Sequence, residues 1–325
     1  MEFETILPFL SPIEHLILDP DISEIMVNAG SKIFAEKNGL LTAITGVTIP
    51  EQALLAAVKN IARRLGDDIS EAKPILDSRL PDGSRVAAVL PPCSLDGITL
   101  TIRKFNTRHF HIEDLIANGT LTNETANHLR DAVEQRKNIL ISGGTGVGKT
   151  TLLSILADFI PNAERILLIE DTAELNIRKS NLVRFEARKE QSGIPAITIR
   201  DLLRASLRHR PDRIIVGEVR GGEAFDLLQA LNTGHAGSIS TIHANSARHA
   251  LARFTDCVLQ SGIQIPHTAI RSNIANSVDL ILHMARIKGR RIITEALQSA
   301  SHDMERNEYQ FHALKPNCVF RKIND

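Results

Sequence analysis

Short apolar runs recur through the second half of the chain and are separated by helical segments. The runs are "NILIS", "RILLIED", "RIIVGEV" and "SISTIH". Their aliphatic residues are continuous rather than alternating with polar ones, which indicates strands covered on both faces. Such strands, joined by helices or long connections, predict a parallel sheet in an α/β domain. Added antiparallel strands are predicted over "VDLILHMARIKGRRIITEALQ" and "YQFHALKPNCVFRKI".

The first part of the chain has a different pattern. "SEIMVNAGSKIFAEKNGLL" and "GITLTIRKF" predict short strands, and "PEQALLAAVKNIARRLG" predicts a helix that begins near Pro50 and ends at Gly66. This mixture predicts a small α+β domain over residues 1–106. We place a linker with a short helix over residues 107–121 and the larger α/β domain over residues 122–325.

Composition narrows the class of protein. The chain has 325 residues, of which 43% are hydrophobic and 23% charged, which is typical of a globular protein with two domains. The formal net charge is zero, there is no Trp, and Tyr309 is the single Tyr. Bulk attraction to nucleic acid and aromatic stacking on its bases are therefore disfavoured, although a local basic face stays compatible. We expect no stable nucleic-acid binding.

Neither the first residues nor the cysteines indicate export. "MEFETILPFLSPIEHLILDP" lacks the basic start and apolar core of a signal peptide, and no apolar run approaches a membrane span. Cys93, Cys257 and Cys318 are far apart and form no CxxC pair, so neither a disulfide framework nor a zinc site is indicated. We predict a cytoplasmic protein whose association with the inner membrane, if any, is peripheral.

A phosphate-binding loop follows the strand "NILIS". "GGTGVGKTT" fits G-x-x-x-x-G-K-[ST] and opens the helix "TLLSILADF". Backbone N–H groups of such a loop surround phosphates, its lysine reaches the outer phosphates, and its hydroxyl binds Mg²⁺. The strand–loop–helix context disfavours a glycine-rich turn that binds nothing. The predicted ATP-binding residues are Gly143, Gly144, Thr145, Gly146, Val147, Gly148, Lys149, Thr150 and Thr151, with Thr150 as the Mg²⁺ ligand.

Carboxylates follow two of the predicted strands. Hydrolysis needs a positioned water, which a carboxylate usually orients. "RILLIEDTAEL" offers Glu170, Asp171 and Glu174, and "RIIVGEV" offers Glu218. Glu170 and Glu218 end buried strands, where an unpaired charge would be unfavourable, so a functional role is favoured for both. Glu174 is equally compatible with an ion pair to a nearby arginine.

Two histidines occur in "NTGHAGSISTIHANS". His243 ends the strand "SISTIH" beside the predicted phosphate site, where it can hydrogen-bond to a γ-phosphate. A hydrogen-bonded structural histidine is the alternative. A metal site formed with His235 is disfavoured because no cysteine or carboxylate completes a ligand set.

Three arginines recur in "IRDLLRASLRHRPDR". Arg200, Arg204 and Arg208 are spaced to lie along one helical face. We interpret this face as a solvated or subunit-interface surface rather than a track for nucleic acid.

Together, four motifs resemble one family. They occur in the order "GGTGVGKTT", "IEDTAEL", "RPDRIIVGEVRGGEA" and "TGHAGSISTIHANS". This order resembles the secretion or traffic ATPases of type II and type IV secretion systems, hexameric RecA-like motors with a Walker A loop, an Asp box, an atypical Walker B motif and a His box. "GEVRGGEA" and "TIHANS" are most similar to the conjugal-transfer, TrbB-like branch, near the tight-adherence pilus ATPases. Gly221 departs from the aspartate of pilus retraction ATPases.

The resemblance implies a Mg²⁺-dependent ATPase and roles for the residues of these motifs. Glu218 would be the catalytic glutamate that polarises the attacking water. Glu170 would position that water or Mg²⁺, directly or through a water, and Thr150 would bind Mg²⁺ directly. His243 would contact the γ-phosphate, with His235 as the second histidine of the box.

The resemblance also implies a two-domain ring. The first domain would be PAS-like and the second RecA-like, and the assembly would be a homo-oligomer, a hexamer. Arginines of the first domain would act on the phosphates, and the matching positions are Arg85 and Arg103. Solvated strand arginines are the alternative for both. The implied partners are inner-membrane secretion or pilus-assembly proteins and a coupling protein.

Two other classes of protein stay open on the sequence. A RecA-like nucleic-acid motor would carry the same P-loop, but the neutral charge and scarce aromatic residues disfavour it. A nucleotide-bound assembly scaffold with little turnover would also bind Mg²⁺-ATP. Hydrolysis is the property that separates the scaffold from the motor.

Overall fold

We analysed a computed structural model of the chain, which describes residues 7–37, 39–80, 82–105, 110–188, 190, 194–303 and 308–313. Cys318 and the end of the last predicted strand lie outside these residues. The chain divides into two compact units, Met1–Arg108 and His109–Asp325, called unit 1 and unit 2 below. No helix in the described part of the chain has the length and apolarity needed to cross a membrane.

The described residues of unit 1 form an antiparallel sheet and two α-helices. Its elements are α1 (Glu14–Leu18), β1 (Ile22–Asn28), β2 (Lys32–Lys37), β3 (Leu40–Ile44), α2 (Glu51–Arg64), β4 (Ile75–Arg79), β5 (Arg85–Val89) and β6 (Thr99–Arg103). The strand order is β3-β2-β1-β6-β5-β4. Leu54, Val58 and Ile61 of α2 recur at helical spacing and are buried in the core of this unit. The predicted α+β domain is confirmed, and β4 is a strand that the sequence analysis did not identify.

Unit 2 is built on an eight-stranded sheet. Its elements are α3 (Ile112–Ala117), α4 (Asn123–Glu134), β7 (Ile139–Gly143), α5 (Lys149–Asp158), β8 (Ile166–Glu170), β9 (Leu182–Glu186), α6 (Ile199–Ser206), β10 (Arg213–Val219), α7 (Glu223–Asn232), β11 (Ile239–Ile242), α8 (Ala247–Leu259), α9 (His267–Ser277), β12 (Leu280–Ile287), β13 (Arg290–Asp303) and β14 (Glu308–Ala313). The strand order is β14-β13-β12-β7-β11-β10-β8-β9.

The centre of this sheet is parallel and covered on both faces. β7, β11, β10, β8 and β9 pair in parallel, as the continuous apolar runs predict. Ile139 and Ile141 belong to one core cluster, with residues of α3, α4 and α5, whereas Leu140 between them belongs to a second cluster, with residues of α6, α7, α8 and α9. Helices therefore pack on both faces, and the α/β fold class is confirmed.

The C-terminal strands differ from the sequence expectation in one respect. β12 pairs in parallel with β7, and only β13 and β14 are antiparallel additions. The sequence pattern missed this because an apolar run such as "LILHM" does not encode the direction of its neighbour. β9 was also missed, since its residues are only partly buried and give no continuous apolar run.

The segment predicted as a linker contributes to unit 2. Its helix α3 buries Ile112 and Leu115 in the same core cluster as α4 and α5. Thr122 then caps α4, because its Oγ1 accepts a hydrogen bond from the backbone N–H of Thr125 at 3.1 Å.

The arginines of α6 pair within the same chain. Nε of Arg200 and Nε of Arg204 lie 2.6 and 2.7 Å from the two carboxylate oxygens of Asp226, a buried residue of α7. The interpretation of this face as a solvated or subunit-interface surface stays a prediction, and the side chain of Arg204 is 57% exposed. The charges of Arg200 and Arg204 neutralise a carboxylate that the packing of α6 on α7 removes from water.

A buried arginine joins the elements at the amino ends of the parallel strands. Arg213 begins β10 and is 0% exposed. Its Nε lies 2.5 Å from Oε2 of Glu164, Nη2 donates to the carbonyl of Val133 at 2.9 Å, and Nη1 donates to the carbonyl of Gly237 at 3.3 Å. The guanidinium thus ties β10 to the end of α4, to the segment before β8 and to the turn before β11.

Two features favour glycine at position 237: its own backbone conformation and the nearby guanidinium of Arg213. Its φ is +87°, and a Cβ there would lie 2.0 Å from Nη1 of Arg213. Gly234, in the same turn, has a φ of +98° but nothing within 4 Å of its Cβ position. Both glycines therefore adopt a left-handed backbone conformation, but only at Gly237 would a Cβ collide with a neighbouring side chain.

We predict that Gly237→Ala lowers the free energy of unfolding of unit 2 more than Gly234→Ala does. The left-handed backbone alone accounts for about 1–2 kcal/mol in both variants. The collision with Arg213 adds roughly 1–3 kcal/mol to Gly237→Ala only. Urea denaturation followed by circular dichroism measures both losses. Equal losses would show that the guanidinium moves aside freely.

Candidate nucleotide-binding and catalytic site

The P-loop connects β7 to α5 in a conformation that only glycine permits at both ends. Gly143 has a φ of +152°, and a Cβ there would lie 2.5 Å from the carbonyl oxygen of Met284 on β12. Gly148, which caps α5, has a φ of +97°. Gly144, Thr145 and Gly146 between them are exposed. The backbone of the loop therefore faces solvent at the positive end of the α5 dipole, a setting that favours phosphate.

Lys149 lies beneath this loop. Only 7% of the residue is exposed. Its Nζ donates to the carbonyls of Gly143 and Gly144 at 3.1 and 2.8 Å. Burial, opposed by the negative charge of Glu218, holds the pKa of Lys149 below its ordinary value. An anionic phosphate would stabilise this ammonium group better than two carbonyls do.

The first turn of α5 carries the predicted Mg²⁺ ligand. Thr150 and Thr151 are both half-buried and directly follow Lys149. Within the described ranges, no group of three or more His, Cys, Asp or Glu side chains is placed to hold a metal ion. Mg²⁺ in nucleotide sites is bound largely by phosphates and waters. Binding of Mg²⁺ through Thr150 stays a prediction.

Glu218 and His243 meet beside Lys149. They extend from the carboxyl ends of the neighbouring parallel strands β10 and β11, and Oε1 of Glu218 lies 2.9 Å from Nε2 of His243. The contact is not aligned as a hydrogen bond, and Oε1 is buried with no hydrogen-bond partner among the described residues. Nε2 of His243 is also 3.5 Å from Nζ of Lys149. A buried acceptor without a donor is unfavourable, so this oxygen is suited to a ligand or water.

The surroundings of His243 favour the neutral form of its imidazole. Partial burial lowers its pKa below the ordinary value, and the charge of Lys149 lowers it further. Nε2 of a neutral ring cannot donate to Glu218 and accept from Lys149 at the same time. The tautomer of His243 therefore decides whether Nε2 can accept a hydrogen bond from Lys149.

Glu170 is turned back onto its own loop. The residue is 3% exposed, and its Oε1 accepts hydrogen bonds from the backbone N–H groups of Glu174 and Leu175, both at 2.8 Å. Its Oε2 lies 3.3 Å from Nη2 of Arg184. Burial nevertheless raises the pKa of Glu170. A role for Glu170 toward water or Mg²⁺ stays a prediction, since here the carboxylate organises the loop that follows β8.

Gly217 makes room for that carboxylate. A Cβ at position 217 would lie 3.2 Å from Cγ of Glu170, closer than ordinary van der Waals contact. The alternative of an ion pair for Glu174 has no support, because its exposed side chain forms none among the described residues. Asp171 instead lies near the site, with Oδ2 3.2 Å from Nη1 of Arg220.

Of three further predicted residues, one lies away from this cluster within unit 2, and two belong to unit 1. His235 precedes β11 and thus lies at the amino edge of the sheet, opposite the P-loop, where its backbone N–H donates to Ala230. Direct contact of His235 with the γ-phosphate is therefore disfavoured. Arg85 and Arg103 are register partners on β5 and β6 of unit 1, and Arg85 forms two contacts of 2.9 and 3.0 Å with Asp77. Their roles stay predictions.

Two arginines at the site were not identified from the sequence. Nε of Arg291 on β13 donates to the carbonyl of Gly146 at 3.1 Å, at the tip of the P-loop. Arg220 contacts Glu218 as well as Asp171. Arg220 lies within a quoted motif, but its contacts depend on strand order, and no local pattern indicates Arg291.

The fold and this cluster define a RecA-like P-loop NTPase with a small α+β domain before it. Over residues 9–318, the chain matches the family described as Type II/IV secretion system protein. The chain therefore belongs to that family, and the resemblance drawn from the four motifs is confirmed, as is the predicted class of secretion-system ATPase.

Individual relatives agree with this family. Conjugal transfer protein TrbB of Rhizobium radiobacter is 36% identical over 84% of this chain and 83% of that protein. Type IV secretion system protein VirB11 of Bartonella henselae is 33% identical over 89% of this chain and 92% of that protein. The solved structure of the ATPase DotB of Legionella pneumophila matches 90% of this chain and 80% of that chain with a TM-score of 0.63. At 23% identity, this last likeness concerns the fold alone.

We predict that Lys149→Met raises the pKa of His243. The substitution removes a positive charge 3.5 Å from Nε2 that opposes protonation of the ring. Histidine C–H resonances followed by NMR against pH measure the change. Lys137→Met is the matched control, because Lys137 pairs with Asp279 before β7, at the opposite edge of the sheet. An unchanged titration of His243 in Lys149→Met would contradict the arrangement described above.

Proposed function

We propose that the chain is a Mg²⁺-dependent ATPase motor of a conjugation-type secretion or pilus-assembly system, and that it hydrolyses ATP to ADP and phosphate in a homo-oligomeric ring, a hexamer. The observation that carries the proposal is the buried Oε1 of Glu218, which faces His243 beside the P-loop lysine and has no hydrogen-bond partner in the described part of the chain. A carboxylate in this position is suited to orient a water for attack on a γ-phosphate.

Each residue of the site would have a separate role in binding or hydrolysing ATP. Backbone N–H groups of residues 143–148 and the ammonium of Lys149 would bind the β- and γ-phosphates. Mg²⁺, bound through Thr150 and the phosphates, would stabilise the charge that develops on the phosphate oxygens. Glu218 would accept a hydrogen bond from the attacking water, and His243 would contact the γ-phosphate.

Unit 1 would contribute positive charge in the transition state. Arg85 and Arg103 are register partners on adjacent strands, and Arg85 is held by Asp77. Arginines directed at a transferring phosphoryl group stabilise its transition state. Conformational work would then arise because ATP and ADP make different contacts in the two states of the motor.

The proposed setting follows from the family and its relatives. The names of the relatives, conjugal transfer protein TrbB and type IV secretion system protein VirB11, support a role in conjugation-type secretion. We propose a cytoplasmic protein that docks peripherally on inner-membrane components of such a system.

The first test is phosphate release from Mg²⁺-ATP as a function of protein concentration. We expect specific activity to rise with concentration, because each site is completed in an assembled ring. Glu218→Gln should abolish most turnover while ATP still binds, since the amide cannot accept a proton. Glu174→Gln, an exposed glutamate without an ion pair among the described residues, is the matched control and should retain activity.

Each of the other possible results would indicate a different catalytic residue or a different function. Equal turnover by the wild type and Glu218→Gln would place the base elsewhere, with Glu170 as the next candidate. Mg²⁺-ATP binding without hydrolysis would favour the assembly scaffold. Hydrolysis stimulated by DNA, with strongly salt-dependent binding, would favour the nucleic-acid motor.

The unit 1 arginines have a test of their own. We expect Arg103→Gln and Arg85→Gln each to lower kcat by about 10²–10³-fold, the magnitude typical for loss of one transition-state donor. Asp77→Asn is the control, because it breaks the pair with Arg85 but leaves both arginines in place. Unchanged kcat in the arginine variants would mean that these side chains are only solvated strand residues.

A further inference from the structure

Arg220 lies in the turn after β10 and contacts two carboxylates. Its Nη2 lies 2.7 Å from Oε2 of Glu218, and its Nη1 lies 3.2 Å from Oδ2 of Asp171. Glu218 belongs to β10, whereas Asp171 directly follows the neighbouring strand β8. The guanidinium therefore bridges the ends of two adjacent strands at the edge of the sheet that carries the P-loop.

The turn that carries Arg220 is fixed by its own contacts. Oε1 of Glu223 accepts hydrogen bonds from the backbone N–H groups of Arg220 and Gly221 at 2.6 and 2.8 Å. A Cβ on Gly222 would lie 2.9 Å from Cα of Ser261, so the turn is also packed closely against the segment after α8. The backbone of Arg220 is thus held in place independently of its side chain.

Arg220 gives the two carboxylate oxygens of Glu218 different surroundings. It binds Oε2, whereas Oε1 faces Nε2 of His243 and has no hydrogen-bond partner among the described residues. The terminal torsion of a glutamate is broad, so an untethered carboxylate would turn and exchange its two oxygens. A guanidinium that also holds Asp171 restricts this rotation, because its planar donors bind both carboxylates in a fixed geometry.

Stability alone does not account for this bridge. The side chain of Arg220 is 58% exposed and that of Asp171 is 40% exposed. Ion pairs between exposed side chains contribute little to the free energy of folding. The same two contacts have a larger consequence for the orientation of Glu218, whose side chain is only 18% exposed.

We propose that Arg220, itself held by Asp171, is a positioning residue that aims Oε1 of Glu218 at the attacking water. This inference rests on the proposed function of Glu218. In the reaction, the water oxygen bonds to the γ-phosphorus while the bond from that phosphorus to the β–γ bridging oxygen breaks. Oε1 of Glu218 takes the proton of the water, and ADP leaves. Arg220 forms no covalent bond and transfers no proton.

Steady-state ATP hydrolysis by the full chain tests this role. We expect Arg220→Gln to lower kcat by roughly 100-fold, with KM for ATP changed by less than about threefold, because orientation is lost while nucleotide binding is kept. Asp171→Asn should lower kcat by roughly 10-fold, and the double variant should be no slower than Arg220→Gln. Arg220→Lys should not restore kcat, since an ammonium group cannot hold both carboxylates as the guanidinium does.

Arg204→Gln is the matched control. Arg204 is 57% exposed and pairs with a carboxylate in the same unit, but that carboxylate is Asp226 on α7. Its kcat and KM should equal those of the wild type. Affinity for ADP with aluminium fluoride, which mimics the transferring phosphoryl group, gives a readout without turnover. Arg220→Gln should weaken this complex and leave the affinity for ADP alone unchanged.

The outcomes separate this inference from the proposed function. If Glu218→Gln is inactive while Arg220→Gln matches the wild type, Glu218 is catalytic and the inference is wrong. A raised KM with an unchanged kcat would make Arg220 a nucleotide-binding residue and would also overturn it. If the wild type and Glu218→Gln are equally active, or if neither ADP nor its aluminium fluoride complex binds, the proposed function fails and the inference fails with it.

Discussion

The parallel pairing of four strands is the constraint on which the rest of unit 2 depends. β7, β11, β10 and β8 are neighbours in that order, and all run in the same direction. Residues that follow these strands must therefore meet at one edge, although they are far apart in sequence. The P-loop lysine, Glu218 and His243 come into contact there. The burial of aliphatic side chains on both faces of the sheet stabilises this arrangement.

Ion pairs hold together the elements at the amino ends of the parallel strands, opposite the P-loop. Burial works to raise the pKa of Glu164, yet its hydrogen bonds to Arg213 and Arg136 hold it below the ordinary value. Removing one partner of a buried pair leaves an uncompensated charge, which destabilises a protein by about 3–5 kcal/mol. The amino ends of the strands are thus neutralised internally. At their carboxyl ends the loop backbone is exposed, and one carboxylate oxygen has no hydrogen-bond partner among the described residues. The carboxyl ends of the strands are therefore suited to bind and release a ligand.

Features set by residues close together in the sequence were predicted. Contacts between residues that are distant in the sequence were missed. The P-loop, the parallel strands and the carboxylate of Glu218 follow from residue order and periodicity. The hydrogen bonds of Glu170 to its own loop, the bridge through Arg220 and the approach of Arg291 to Gly146 do not. Each of these depends on which strands are adjacent or on how a side chain turns after its strand ends. The position of His235 at the far edge was accessible in principle, because it precedes rather than follows its strand.

The space above Gly217 links two positions that no motif places together. A Cβ at position 217 would lie 3.2 Å from Cγ of Glu170, so a larger residue there requires the side chain of Glu170 to shift. Divergent members of the family are therefore expected to change the two positions jointly, with a bulkier residue after "RIIV" accompanied by a shorter one at the end of β8. The residue types at the end of β10 would then depend on packing against Glu170 as well as on catalysis.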